Sequence, residues 1–225
     1  MGLNTTINGT TTAAVANTTC PDMAVLFARG TKEPGNVGFL AGPPFFTALQ
    51  NYMNGTKNIA IQGVDYPASV AGFAVGGSPE GAAVMARLTD ETVTRCPNTA
   101  VVLSGYSQGA QVVHLAAEKM SNGTAAKISS VVLFGDPRNG TAVQGIDAAR
   151  VMTACHAGDN ICVGGDLVLP AHLNYSSNAP AAAMFVMQKS RLGLSSSDAT
   201  MMGMGNVPTM DNPKGSMTTQ GGISK

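Results

Sequence analysis

The chain has 225 residues, 44% of them hydrophobic and only 12% charged, with 13 basic and 13 acidic side chains and a formal net charge of zero. That length is enough for one domain with a sizeable core. With no basic patch or Lys/Arg run there is no footprint for nucleic acid. No apolar run approaches the roughly 20 residues of a membrane-spanning helix. The sparse charge suits a protein that works against an apolar or uncharged surface, or simply a small glycine-rich secreted domain.

Residues 1–19 are Thr, Asn, Ala and Gly with little to bury and read as a flexible arm. The start lacks the apolar core of a signal peptide, so a leader is expected to have been removed already. Short, continuous apolar runs then follow at Met23–Ala28, Ile59–Val64, Ala100–Gly105, Ser130–Gly135 and Ala149–Thr153. Continuity, rather than alternation, is the pattern of strands covered on both faces. Helical stretches intervene at Pro43–Asn54, Pro79–Arg95, Gln108–Met120 and Pro180–Ser190. The second carries a clear start signal, with Ser78 as N-cap, Pro79 at the first helical position and Glu80 in the first turn. Strand–helix alternation predicts βαβ crossovers, a parallel sheet with helices on both faces, and chemistry at the carboxyl ends of the strands. Residues 195–225, rich in Ser, Met, Gly and Thr, read as a second tail, so the domain is expected over 20–194.

Four cysteines, an even number, suit an oxidising compartment. Asn-x-Ser/Thr sequons begin at Asn4, Asn8, Asn17, Asn54, Asn122, Asn139 and Asn174. Both features point to a secreted and glycosylated eukaryotic protein.

Within VVLSGYSQGAQVV, Gly105-Tyr106-Ser107-Gln108-Gly109 stands between an apolar strand and a helix. A strand–sharp turn–helix with small residues on either side lifts a serine out at the sheet edge as a nucleophile. The plainer alternative is a βα turn with a capping serine. A serine hydroxyl needs a base to be nucleophilic at neutral pH. Of three histidines, His114 lies two turns along the same helix, roughly 10 Å from the serine, and reads as structural. His156 adjoins Cys155 and has no evident route to the turn. His172 lies in VGGDLVLPAHLNY, after the last strand, where the chain order nucleophile, acid, base puts the base. Two aspartates compete to orient it. Asp136 directly follows the strand VVLFG, and Asp159 lies between Cys155 and Cys162. The chemistry leaves both open, and a constrained loop favours Asp159 because an orienting carboxylate must be rigid.

CPDMAVLFARGTKEPGNVG, RCPNTAVVLSGYSQGAQVV and CHAGDNIC followed by PAHLNY, in that order over residues 20–190, resemble the cutinase family of secreted serine esterases. The resemblance implies a three-layer α/β/α sandwich around a five-stranded, mainly parallel sheet, a minimal lidless α/β-hydrolase. It implies Ser107 as nucleophile, His172 as general base and Asp159 as its orienting acid. The oxyanion hole falls to the backbone N–H groups of Thr31 and Gln108, with the Thr31 hydroxyl as a third donor. The implied disulfides are Cys20–Cys96 and Cys155–Cys162. Phe73 and Val75 of AGFAV and Leu167, Val168 and Leu169 of DLVLP are expected to form the lips of the substrate groove. No metal and no cofactor are implied, and a monomer is expected. The implied substrates are cutin, related aliphatic polyesters and short-chain esters. Acetylxylan esterase, short-chain lipase and a catalytically silent surface-binding or elicitor protein are the competing readings. Lys32 and Pro34 in the oxyanion loop, and the sequon at Asn174 beside His172, depart from the family pattern.

Overall fold

The computed structural model describes residues 20–190 and 192. The expected N-terminal arm and C-terminal tail lie outside the described residues. Five strands, β1 (Met23–Ala28), β2 (Ile59–Gly63), β3 (Ala100–Tyr106), β4 (Ile128–Phe134) and β5 (Val151–Ala154), form one sheet in the order β2-β1-β3-β4-β5. Every neighbouring pair is parallel. The parallel sheet is the one that the alternation of elements predicts, and the fold is the α/β-hydrolase-like arrangement that the resemblance implies.

The helices are α1 (Gly42–Met53), α2 (Val70–Ala74), α3 (Pro79–Arg95), α4 (Gln108–Lys119), α5 (Asn122–Ala126) and α6 (Ala179–Lys189). Strand side chains alternate between the two faces. Leu26, Leu103, Val131 and Leu133 pack with Met85 of α3 and Val113 and Ala116 of α4. On the opposite face Phe27 meets Phe46, and Phe134 meets Phe45, in edge-on ring contacts that seat α1. α6 packs beside α1 and against β4. β1 is buried along its whole length, whereas β2 at the sheet edge is only partly covered. Each fully buried large apolar side chain stabilises the fold by about 1.5–3 kcal/mol.

Most predicted boundaries move by one or two residues. At the final strand a 3-10 turn occupies Ala148–Arg150, and β5 starts at Val151 rather than Ala149. Ser78 caps α3 as the sequence indicates, accepting a hydrogen bond from the Gly81 amide at 3.1 Å. The pattern did not reveal α2 and α5, each of five residues.

The chain runs from β1 outward to β2, then returns to place β3 on the other side of β1. The strand order therefore reverses between β1 and β3. In open parallel sheets the connections leave a crevice at such a point, beyond the carboxyl ends of the strands. Thr31 follows β1, and Ser107 follows β3.

Candidate active site

Ser107 is the single residue between β3 and α4. Its φ of 55° is left-handed, which is unusual for a side chain with a Cβ. Such a conformation costs about 1–3 kcal/mol and persists only where its surroundings impose it. Here the Ser107 amide donates to the Phe134 carbonyl at 2.9 Å, tying the turn to the end of β4. Gly105 and Gly109 make the turn sterically possible. A Cβ on Gly105 would run into the Gly109 backbone, and one on Gly109 would strike the Ala28 carbonyl of β1. The serine makes no capping hydrogen bond to α4, so the capping alternative does not describe it.

Ser107 Oγ lies 3.0 Å from His172 Nε2, and His172 Nδ1 lies 2.8 Å from Asp159 Oδ2. An ionised carboxylate only accepts, so the imidazole proton sits on Nδ1. Nε2 then presents its lone pair to the serine hydroxyl. Ser107, His172 and Asp159 are 7%, 1% and 2% exposed. Burial acts to raise the Asp159 carboxyl. Hydrogen bonds from Tyr175 and His172, the nearby imidazole charge and the Ile161 amide outweigh it and hold the group below the ordinary carboxylate value.

The Asp159 loop is closed by the Cys155–Cys162 disulfide, and the start of the domain is tied to the end of α3 by Cys20–Cys96. Within the short loop Ile161 donates its amide to Asp159 Oδ1 at 2.9 Å. Tyr175, fully buried, donates its hydroxyl to Asp159 Oδ2 at 2.6 Å. Burial and then the neighbouring Asp159 raise the Tyr175 phenol well above its ordinary value, so it remains a neutral donor.

The remaining His and Asp form a separate pair. His114 Nε2 lies 2.9 Å from Asp136 Oδ2, and Asp136 Oδ1 accepts the Arg138 amide at 2.9 Å. Both side chains are buried, and neither makes a hydrogen bond to Ser107 or His172. His156 stacks on Tyr175 with ring centroids 4.4 Å apart. Its ring nitrogens lie 2.8 Å from the Ala171 carbonyl and 2.6 Å from Asn178 Oδ1, bracing the segment that carries His172.

Several residues around the site were not singled out by sequence. Tyr106 stacks on the His172 ring at 5.1 Å and donates its hydroxyl to the His172 carbonyl at 2.9 Å. Gly135, with φ 57°, backs the same ring: a Cβ there would stand 2.8 Å from His172 Cε1. Glu33 lies within the quoted loop motif, and its buried carboxylate organises the turn after β1. It accepts the amides of Gly30 at 2.7 Å and of Phe39 and Leu40 at 3.0 Å. Arg29 bridges the Glu33 and Tyr66 carbonyls at 2.7 Å each. Lys32, which the sequence did mark as a departure from the family pattern, has φ 60° and donates its amide to the carbonyl of Ala68, itself at φ 47°. The sequence signal for Arg29, Glu33 and Tyr106 was their place inside the quoted segments CPDMAVLFARGTKEPGNVG and RCPNTAVVLSGYSQGAQVV.

Thr31 and Gln108 meet across the crevice, Gln108 Nε2 donating to Thr31 Oγ1 at 2.9 Å. As the first residue of α4, Gln108 also carries an amide with no carbonyl partner inside the helix. Of the lip candidates, Val75 is 75% exposed, Leu167, Val168 and Leu169 are exposed, and Phe73 is half-buried. Among the described residues no helix is long and apolar enough to cross a membrane.

The arrangement provides a polarised serine beside two strand ends, which is the equipment for acyl transfer. Comparison with known proteins agrees. The cutinase family model matches residues 19–190. A cutinase from Botryotinia fuckeliana is 50% identical over 181 residues, covering 80% of this chain and 89% of the relative. The solved Trichoderma reesei cutinase in complex with a C11Y4 phosphonate inhibitor is 50% identical, with a TM-score of 0.73, and the match covers 76% of this chain and 77% of that one. An acetylxylan esterase at 21% identity and a TM-score of 0.60, covering 76% of this chain and 99% of its own, shares the fold. With the family model spanning most of its length and a named cutinase identical at half the aligned positions, the chain belongs to the cutinase family and is a carboxylic ester hydrolase.

Proposed function

We propose that Ser107, His172 and Asp159 act as nucleophile, general base and orienting acid in the hydrolysis of aliphatic polyesters such as cutin. The observation that carries this reading is the unbroken hydrogen-bond chain from Ser107 Oγ through His172 to Asp159. The Ser107 oxygen attacks the ester carbonyl carbon while its proton passes to His172 Nε2. The carbonyl oxygen becomes an oxyanion, received by the Thr31 and Gln108 amides and the Thr31 hydroxyl. Collapse expels the alcohol, which takes the proton from Nε2. Water then attacks the acyl-serine with His172 again as base, and the acid leaves.

The apolar side chains exposed at Val75, Leu167, Val168 and Leu169 support a hydrophobic polymer rather than a polysaccharide as substrate. The named cutinases among its relatives point the same way. Two disulfides suit an oxidising compartment, and we place the enzyme outside the cell.

The test has two arms. A serine-reactive organophosphate should label the wild type once, at Ser107, and should not label Ser107→Ala. Rates on cutin monomer esters, acetylated xylan and a long-chain triglyceride should fall in that order, with p-nitrophenyl butyrate preferred over the palmitate ester. A preference for acetylated xylan or for palmitate would replace the polyester reading with the acetylxylan esterase or lipase reading.

A further inference from the structure

Among the described residues, sequons begin at Asn54, Asn122, Asn139 and Asn174. They differ in how far their side chains are already engaged. Thr56 donates its hydroxyl to the Met53 carbonyl at 3.0 Å, and Thr124 donates its own to Asp90 Oδ1 at 2.6 Å. Asn139 Nδ2 donates to the Cys162 carbonyl at 3.5 Å. In Asn174-Tyr175-Ser176 neither the Asn174 amide group nor the Ser176 hydroxyl makes a hydrogen bond among the described residues, and both residues are exposed. Asn174 is held through its backbone carbonyl instead, which accepts the Ser177 hydroxyl at 2.7 Å and the Ser177 amide at 3.3 Å. Tyr175 between them is fully buried and donates to Asp159, so this exposed sequon is firmly anchored.

The same sequon stands at the rim of the site. Asn174 directly follows the 3-10 turn Pro170–Leu173, which carries His172, and Leu169 directly precedes that turn. At a rise of about 2 Å per residue the turn sets the two about 10 Å apart. Leu167, Val168, Leu169 and Leu173 are exposed on this segment. We propose that Asn174 carries an N-linked oligosaccharide that holds the apolar rim off flat polymer and leaves soluble esters and loose chain ends as the preferred substrates. This rests on the reading of Ser107, His172 and Asp159 as the hydrolytic site. A sugar chain rooted there is bulky and hydrated. For the rim to lie on solid polyester, the sugar would have to shed water without gaining partners, and burying a polar group unpaired is costly. A soluble ester needs only the crevice at Ser107 and escapes that cost. The modification joins Asn174 Nδ2 to the anomeric carbon of the first sugar, and the donor is a lipid-linked oligosaccharide diphosphate of the secretory compartment. The amide gives up one proton, the bond from the anomeric carbon to the diphosphate oxygen breaks, and the lipid diphosphate leaves with the electron pair. Because Tyr175 is buried in the folded chain, the transfer precedes docking of this segment.

The test compares wild type, Asn174→Gln and Ser176→Ala, each secreted from a yeast host. Peptide mapping by mass should find a glycan on the wild-type peptide containing Asn174 and none on that peptide in either variant. Rates are then measured on a polyester film and on p-nitrophenyl butyrate. The ratio of film rate to ester rate should rise about 10-fold in both variants, the size expected when one unpaired polar group no longer has to be desolvated. Wild type trimmed with an endoglycosidase should move the same way, and kcat/KM on the soluble ester should stay nearly constant throughout. An unoccupied Asn174 in the secreted wild type, or an unchanged ratio despite occupancy, would overturn the proposal. So would a rise in Asn174→Gln that neither Ser176→Ala nor trimming reproduces, since that effect would belong to the side chain and not to the sugar. Should Asn174→Gln fold poorly by thermal melting, Ser176→Ala and the trimmed wild type carry the same criteria. Loss of film hydrolysis in every form, with p-nitrophenyl butyrate still cleaved, would overturn the polyester reading itself, and retained ester cleavage in Ser107→Ala would overturn the reading of the site.

Discussion

Replacing Asp159 by Asn should inactivate the enzyme while leaving it folded. Asp159 Oδ1 accepts the Ile161 amide, and Oδ2 accepts both Tyr175 and His172. In the Asn variant the amide oxygen takes the Ile161 side, since a backbone N–H must be accepted. The new NH2 group then faces His172 and donates to Nδ1. The imidazole proton is driven to Nε2, where it meets the serine hydroxyl and cannot receive its proton. An imidazole in the wrong tautomer costs about 10⁴ in kcat in a Ser-His-Asp system, or about 5.5 kcal/mol at 1.36 kcal/mol per decade. The cost to stability should be smaller, about 1–3 kcal/mol for a weakened buried hydrogen-bond set. Asp136→Asn is the control. Its partners are His114 and the Arg138 amide, so it should lose about 1–3 kcal/mol of stability and only a few-fold in kcat. The assay is steady-state hydrolysis of p-nitrophenyl butyrate beside thermal melts of both variants. A live Asp159→Asn and a dead Asp136→Asn would refute the reasoning.

Opening the short staple with Cys155→Ser plus Cys162→Ser should lower kcat more than it raises KM, since the Asp159 carboxylate loses its fixed position. Removing Cys20–Cys96, which closes a far longer loop, should instead act on stability. The chain-entropy difference is about 4.5 against about 2.5 kcal/mol, and denaturant melts of the two variants should rank accordingly. Val168→Lys puts a charge on an exposed residue of the proposed groove lip, so the loss should be several-fold larger on a polyester film than on a soluble ester; equal losses would count against a surface-contact role. Because Asp159 is held below its unfolded value, about 3.9 for a free aspartate, its ionised form adds stability above that pH. The contribution fades as pH falls through the lower folded value. Urea melts should therefore show wild type more stable than Asp159→Asn near neutrality, with the difference closing in strong acid.

Much of this molecule was readable along the chain because its determinants are local. Continuous apolar runs announce strands covered on both faces, and the spacing of Gly105 and Gly109 around Ser107 announces a close approach of backbones, here to Gly109 itself and to β1. α2 and α5 escaped notice because a five-residue helix is too short for a periodicity to develop. The start of β5 was misplaced because Ala148–Arg150 are as compatible with a 3-10 turn as with a strand. The pairing of histidines with aspartates was decided only in three dimensions. His114 and Asp136 are chemically identical to His172 and Asp159, and both pairs form buried contacts of 2.9 and 2.8 Å. Sheet order and loop path separate them: one pair joins the end of β4 to the side of α4, while the other closes over the end of β3 where Ser107 emerges. The Gln108 side chain is a similar case. Its partners Thr31 and Ser69 lie 77 and 39 residues away in the sequence, and a side-chain hydrogen bond reaches about 3 Å. Only the reversal of strand order between β1 and β3 brings those atoms within that distance.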